Sequence, residues 1–159
     1  MISKHISEKE ATKSITAIRL SLANTPDGNI ITNMKAVAEN VFEPLRKWVG
    51  GPIKINSFYR SEALNKAIGG ASKNGKQTSQ HCFGYAMDID DIYAYKSNAE
   101  MFYFIKENLN FDQMIWEFGD STNPDWIHVS YVSDSINRNR ILKAVRDKGK
   151  TKYIDITNS

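Results

Sequence analysis

Between Ile30 and Trp48 the apolar residues Ile30, Met34, Val37, Val41, Leu45 and Trp48 fall three or four positions apart, and beyond Gly51 the period shortens towards two. A three-to-four spacing lays a stripe along one face of a helix, whereas alternation marks a half-buried strand. The first pattern predicts one long amphipathic helix after the turn "NTPDG", with Pro26 at its start and Pro44 placed to kink or divide it. Residues 7–20 predict a short helix carrying Ile15, Ile18 and Leu20. After "GG" at 50–51, "PIKINSF" reads as a strand, and "SEALNKAIGG" as a short helix with Ser61 as N-cap and Gly69 as stop. "ASKNGKQTS" is a polar loop, "GYAMDID" has strand character and "NAEMFYFIKENL" predicts another helix. "FDQMIWEF" and "DWIHVSYV" predict strands joined by "GDSTNP", followed by a basic helix around 137–147 and a final strand "KYIDI". Helices gather early and strands late, which predicts an α+β fold with a mostly antiparallel sheet packed against helices.

A chain of 159 residues with 41% hydrophobic and 25% charged residues fits one domain, 1–159, able to bury its own core. No internal repeat or low-complexity linker divides it, and a monomer is expected. No apolar run reaches the length of a membrane span. The polar start "MISKHISEKEATKS" lacks the apolar core of a secretory signal, so the protein is expected to be cytoplasmic when made. A substrate outside the cytoplasm would have to be reached by another route. The single cysteine cannot form an internal disulfide and excludes Cys-rich zinc frameworks. A net charge of +3 is too mild for a nucleic-acid partner, and the cluster "NRNRILKAVRDKGKTK" reads as a solvated helix face and turn.

Three side chains, His81, Asp88 and His128, supply the imidazole nitrogens and carboxylate oxygen of a catalytic zinc site that leaves a fourth position open. His81 would enter from a loop, Asp88 from the strand after it, and His128 from a neighbouring strand. Gly84 and Ala86 are small and would let the backbone pass close to a metal or substrate. Read without further context, the same three residues also fit ordinary hydrogen-bonded roles. In "DWIH", Asp125 stands three positions before His128, so it must sit at a bend to share the site, and Pro124 favours such an irregular entry. A carboxylate beside the attacking water can take its proton and pass it to the leaving amine. A turn aspartate after proline is the alternative. Arg60, between an apolar strand and a helix N-cap, could hold a substrate carboxylate or stabilise an oxyanion, or simply pair with a surface acid.

In combination these residues resemble the zinc D-alanyl-D-alanine peptidases of the M15 type, in the single-domain form of their subfamily A, which share a fold with Hedgehog signalling domains. The family pattern Ser-x-His-x-x-Gly-x-Ala-x-Asp is matched by Ser79, His81, Gly84, Ala86 and Asp88. An acidic residue, two intervening positions and a histidine are matched by Asp125 and His128, and a Tyr-Arg-Ser segment by Tyr59, Arg60 and Ser61. The resemblance extends over much of residues 24–132. It implies Zn2+ held by His81, Asp88 and His128, with Asp125 as catalytic base. Arg60 would polarise the scissile carbonyl and Ser79 would contact substrate from the rim. Some family members carry glutamate at the position of Asp125, which keeps Glu117 as a reserve for the base. The implied activity is hydrolysis of peptidoglycan stem peptides, as a D-Ala–D-Ala carboxypeptidase or an L-Ala–D-Glu type endopeptidase. Lack of an export signal suits family members that act as bacteriophage endolysins or tail proteins on the host wall. The rival expectations are a non-catalytic, zinc-stabilised module that binds cell wall or protein, and a structural virion component.

Of the remaining candidates, His5 is expected to be a surface or capping residue, and Cys82 a buried packing residue with no histidine left to activate it. Asp90 and Asp91 are expected in turn or capping roles. Trp116 and Trp126 are candidates to flank the cleft, with core packing expected for at least one.

Overall fold

The computed structural model describes residues 1–159. Its N-terminal part is helical: α1 (Glu8–Thr12), α2 (Ile15–Arg19), α3 (Gly28–Val37) and α4 (Glu43–Val49). The single helix expected over 7–20 is two, because the backbone is extended at Lys13 and Ser14, and the Ser14 side chain then caps α2. Ile15, Ile18 and Leu20 consequently face solvent instead of the core. The long helix runs without a break from Gly28 to Val49 but widens into a π-helical segment, Ala38–Phe42, two residues before Pro44. Proline has no N–H for the preceding turn and its ring crowds the carbonyl four residues back, so a wider turn relieves both. The division expected at Pro44 thus takes the form of a π-bulge.

The rest of the chain builds a six-stranded sheet in the order β1-β4-β6-β5-β7-β8. Its strands are β1 (Lys54–Ser57), β4 (Ala86–Asp90), β5 (Gln113–Glu117), β6 (Trp126–Ser130), β7 (Arg140–Asp147) and β8 (Lys150–Asp155). All neighbours are antiparallel except β5 and β7, which run parallel. Helix α5 (Glu62–Ala67) follows β1 with Ser61 as N-cap, and α6 (Asn98–Asn108) follows β4 with a complete capping box from Ser97 and Glu100. Two expectations are corrected. Residues 137–147 form no helix: Arg140–Asp147 is strand β7, because the open edge of β5 supplies a hydrogen-bonding partner that a helix would leave unpaired. The loop "ASKNGKQTS" holds a small hairpin, β2 (Ser72–Lys73) and β3 (Lys76–Gln77), turned at Asn74 and Gly75, both with positive φ.

Alternation divides the sheet's two faces. Met87, Ile89, Met114, Trp116, Ile127, Val129 and Ile141 point to one side and join Met34, Val37, Val41, Leu45, Met101 and Ile105 from the helices in the main core. Asp88, Ile115, Glu117, His128, Leu142 and Ala144 point to the other. That second face carries only a small apolar cluster of Ile115, Leu142 and Ala144, with Phe118 packed against it. Chemistry-bearing side chains therefore stand on a rigid platform whose opposite face is fully packed.

Candidate metal centre and cleft

Asp88 on β4 and His128 on β6 are directly paired residues, so their side chains leave the sheet side by side. His81 reaches them from a single 3₁₀ turn, Gln80–Phe83, just before β4. His128 Nδ1 lies 3.1 Å from Asp88 Oδ1, and His81 Nε2 lies 3.4 Å from Asp88 Oδ2. Four ligands at tetrahedral zinc, each about 2.0–2.1 Å away, stand about 3.3 Å from one another, so these gaps are those of a ligand set. One ligand atom from each of the three residues falls within 4.8 Å of the others. His81 directs Nδ1 to the Phe58 carbonyl at 2.8 Å, which fixes the ring and leaves Nε2 as the coordinating nitrogen. Burial works to raise the pKa of Asp88, but the two imidazoles outweigh it and hold the carboxyl far below the ordinary range. The donor set, its spacing and its anchoring all fit zinc.

These residues form the floor of a cleft of about 670 Å³. Arg60 lines its β1 end; its backbone N–H donates to the His81 carbonyl, and Nη2 donates to Ser79 Oγ at 3.2 Å. The Nε of Arg60 is buried and has no hydrogen-bond partner within the protein. Ser79 also lines the cleft but is buried, and does not stand at an exposed rim. Trp126 lines the cleft, whereas Trp116 belongs to the core and donates its indole N–H to the Asp120 carbonyl.

The two candidate bases differ in position. Asp125 is exposed at the end of the sheet, beside Gly119, Val145 and Arg146, and is not among the residues lining the cleft. Its backbone N–H already donates to the Glu117 carbonyl, so strand alternation begins before Trp126, and the bend anticipated from Pro124 does not turn the Asp125 side chain inward. Asn98 secures that loop by donating to the carbonyls of Pro124 and Asp125. Glu117, by contrast, lies on the site face of β5, one strand from His128, and is 7% exposed within the cleft. Burial, reinforced by the Asp88 charge and partly offset by His128, pushes its pKa up to about 7. In the metal-free protein this carboxyl is poised near neutrality and lies beside the candidate ligands, which makes it a candidate for proton transfer.

Gly84 serves a different purpose from the one expected of it. It adopts φ +74° as the cap of the 3₁₀ turn, and a Cβ there would lie 2.8 Å from the Ile30 carbonyl oxygen and the Met34 Cγ. Its smallness lets the turn that carries His81 seat against α3; it does not widen the site. Ala86, fully buried and paired with Ser130, starts β4. Cys82 is buried, its thiol pushed up in pKa by that burial, and it does not line the cleft. Asp90 and Asp91 receive hydrogen bonds from Asn98 at the start of α6, and His5 pairs with Glu43 at the surface. What sequence reasoning missed is the far wall of the cleft, which includes Arg138, Leu142, Arg146, Thr151 and Tyr153 from β7, β8 and the segment leading to them.

Comparison with known proteins shows the family. The Peptidase M15 family profile matches residues 4–130, about four-fifths of the chain, and takes in all three candidate ligands, Arg60, and both candidate bases, Glu117 and Asp125. No match to a curated protein was found. No helix is long and apolar enough to cross a membrane.

Proposed function

We propose, from the premise that this chain belongs to the Peptidase M15 family, that it is a zinc-dependent hydrolase of peptidoglycan stem peptides. The observation that carries the reading is the His81–Asp88–His128 cluster, spaced as a ligand set on the floor of a cleft that also holds Glu117 and Arg60. Zinc, when bound, supplies a Lewis acid that polarises a carbonyl and acidifies a water.

The chain's own residues have distinct tasks. His81, Asp88 and His128 hold the metal. Glu117 takes the proton of the attacking water and returns it to the departing amine; its burial and its place one strand from His128 favour it over Asp125. Asp125 remains the choice suggested by the family pattern alone. Arg60, which lines the β1 end of the cleft, donates to the oxygen of the scissile carbonyl as charge develops there. Ser79 keeps the guanidinium in place. The bond proposed is either a terminal D-Ala–D-Ala bond or an internal L-Ala–D-Glu bond of the stem peptide. Action on a host wall as a phage-encoded endolysin belongs to the same proposal, as does function as a monomer.

The test is release of new amino groups from purified peptidoglycan by the zinc-loaded protein, by the chelated protein, and after zinc is restored. Hydrolysis that stops on chelation and returns with zinc is expected, and mass spectrometry of the fragments then names the bond. Hydrolysis unchanged by chelation contradicts the reading. Zinc and wall binding without amine release would establish the non-catalytic binding module instead.

A further inference from the structure

The basic cluster near the C-terminus, expected to be a solvated helix face, is instead the hairpin β7–β8 and its approach, and it lies outside the residues matched by the family. Pairing aligns Glu117 with Ala144 and Ala144 with Tyr153, so these three residues form one row across the site face. Arg146, paired with Thr151, occupies the next row on that face. Strands stand about 4.8 Å apart, which puts the Glu117 and Tyr153 backbones about 10 Å apart with only the Ala144 methyl between them. Ala144 is itself buried in the cluster that Phe118 packs against, so Phe118 and Leu142 line the cleft on this side, and Tyr153 and Arg146 form its outer wall.

The charges along the cleft are unequal in kind. Arg138 is neutralised by Asp112 through a two-point ion pair at 3.0 and 2.7 Å. Arg60 is tied to Ser79. Arg146 makes no ion pair, although Asp125 lines the adjoining depression; its guanidinium lies over the Phe118 ring, 4.7 Å from the centroid. Stacking on an aromatic face holds a guanidinium in place while leaving its N–H donors free. The Tyr153 hydroxyl makes no hydrogen bond within the protein, unlike that of Tyr131, which Asp134 holds. Burial and the neighbouring charges of Glu117 and Asp88 push the Tyr153 phenol up in pKa, which keeps it a donor.

We propose that Arg146 and Tyr153 form a subsite for a carboxylate of the peptide substrate, making the β7–β8 hairpin the element that selects acidic peptides. The guanidinium and the phenol donate to the two carboxylate oxygens, and the cleft between them and Glu117, lined by Phe118 and Leu142, receives the intervening peptide. This inference rests on the peptidase reading, and its test separates the two.

A synthetic stem pentapeptide ending in D-Ala–D-Ala, with free carboxylates, is compared with its fully amidated form on the zinc-loaded full chain. Wild type should favour the acidic peptide, and Arg146→Ala should shrink that preference, read as the ratio of the two kcat/KM values, by about tenfold, the scale of one lost charge-assisted contact. Arg146→Lys should restore part of it and Tyr153→Phe should lose about threefold, the scale of a neutral hydrogen bond. Lys152→Ala removes the same charge from the opposite face of β8 and should leave the ratio unchanged. An unaltered ratio in Arg146→Ala, or an equal loss in Lys152→Ala, overturns the subsite. If wild type cleaves neither peptide, amine release from peptidoglycan decides the hydrolase reading, and calorimetric binding of the same two peptides decides the subsite. A preference for the acidic peptide that Arg146→Ala abolishes supports it; equal binding overturns it.

Discussion

Asp88 is the residue on which the site turns. It bridges both imidazoles, its side chain is nearly enclosed, and it holds its charge because they offset the cost of burial. Asp88→Asn should abolish stoichiometric zinc in metal analysis of the purified protein while leaving the main core, which lies on the opposite face of β4, intact. Glu117 carries a second prediction at this scale. In the metal-free protein its pKa of about 7 lies above the value of an unfolded glutamate, so burial penalises the charged form. The sign follows directly: Glu117 costs nothing below the unfolded pKa and destabilises progressively as pH rises from there through about 7. Urea midpoints of the metal-free protein should therefore fall across that range, and Glu117→Gln should flatten the fall. A profile of equal slope in both proteins would contradict the assignment of Glu117 to a desolvated position.

At the scale of elements, Asp112 is the strap that joins the cleft's two walls. It precedes β5 and accepts from the Arg138 guanidinium, the Arg138 backbone N–H and the Gln80 side chain, the last of these beside His81. Burial works to raise its pKa, but these donors win and hold it below the ordinary carboxylate value. Its contribution is present above the unfolded pKa and is lost as pH falls through the folded one. Asp112→Ala should cost about 2–3 kcal/mol at neutral pH, the scale for stripping donors of a buried carboxylate, and should remove stability lost by wild type on acidification below about pH 4. Chemical denaturation at pH 7 and pH 3 checks both parts. Elements also show where sequence reasoning stops. The helical stripe from Ile30 to Leu45 and the alternation in β4, β5 and β6 were legible because burial on one face writes its own period. Strand β7 was not: Ile141, Leu142 and Val145 fit a helical period as well as a strand, and the parallel pairing with β5 that decides between them is non-local. The hairpin at Asn74–Gly75 was signalled by that dipeptide in a segment read as loop. His81, Asp88 and His128 were recoverable from motif spacing, whereas Arg146 and Tyr153 enter the cleft only through sheet register, which no local pattern encodes.

The whole molecule is one-sided: helices pack one face of the sheet and the other is left open for chemistry. Because three elements contribute ligands, zinc should bind the folded chain and not the unfolded one. Free zinc at about a thousand times its Kd should then stabilise by about 4 kcal/mol, seen as a higher melting temperature that Asp88→Asn does not share. The proposed function stands or falls on whether this open face is a catalytic metal centre with Glu117 as its proton-transfer group. The decisive quantity is the rate of amine release from peptidoglycan by zinc-loaded wild type, Glu117→Gln and Asp125→Ala, with zinc content confirmed in each. Glu117→Gln should bind zinc but lose activity by about 10²–10⁴-fold, the scale of a general base, while Asp125→Ala stays within about tenfold of wild type. Full activity in Glu117→Gln, with the loss falling on Asp125→Ala, would show that the assignment is wrong.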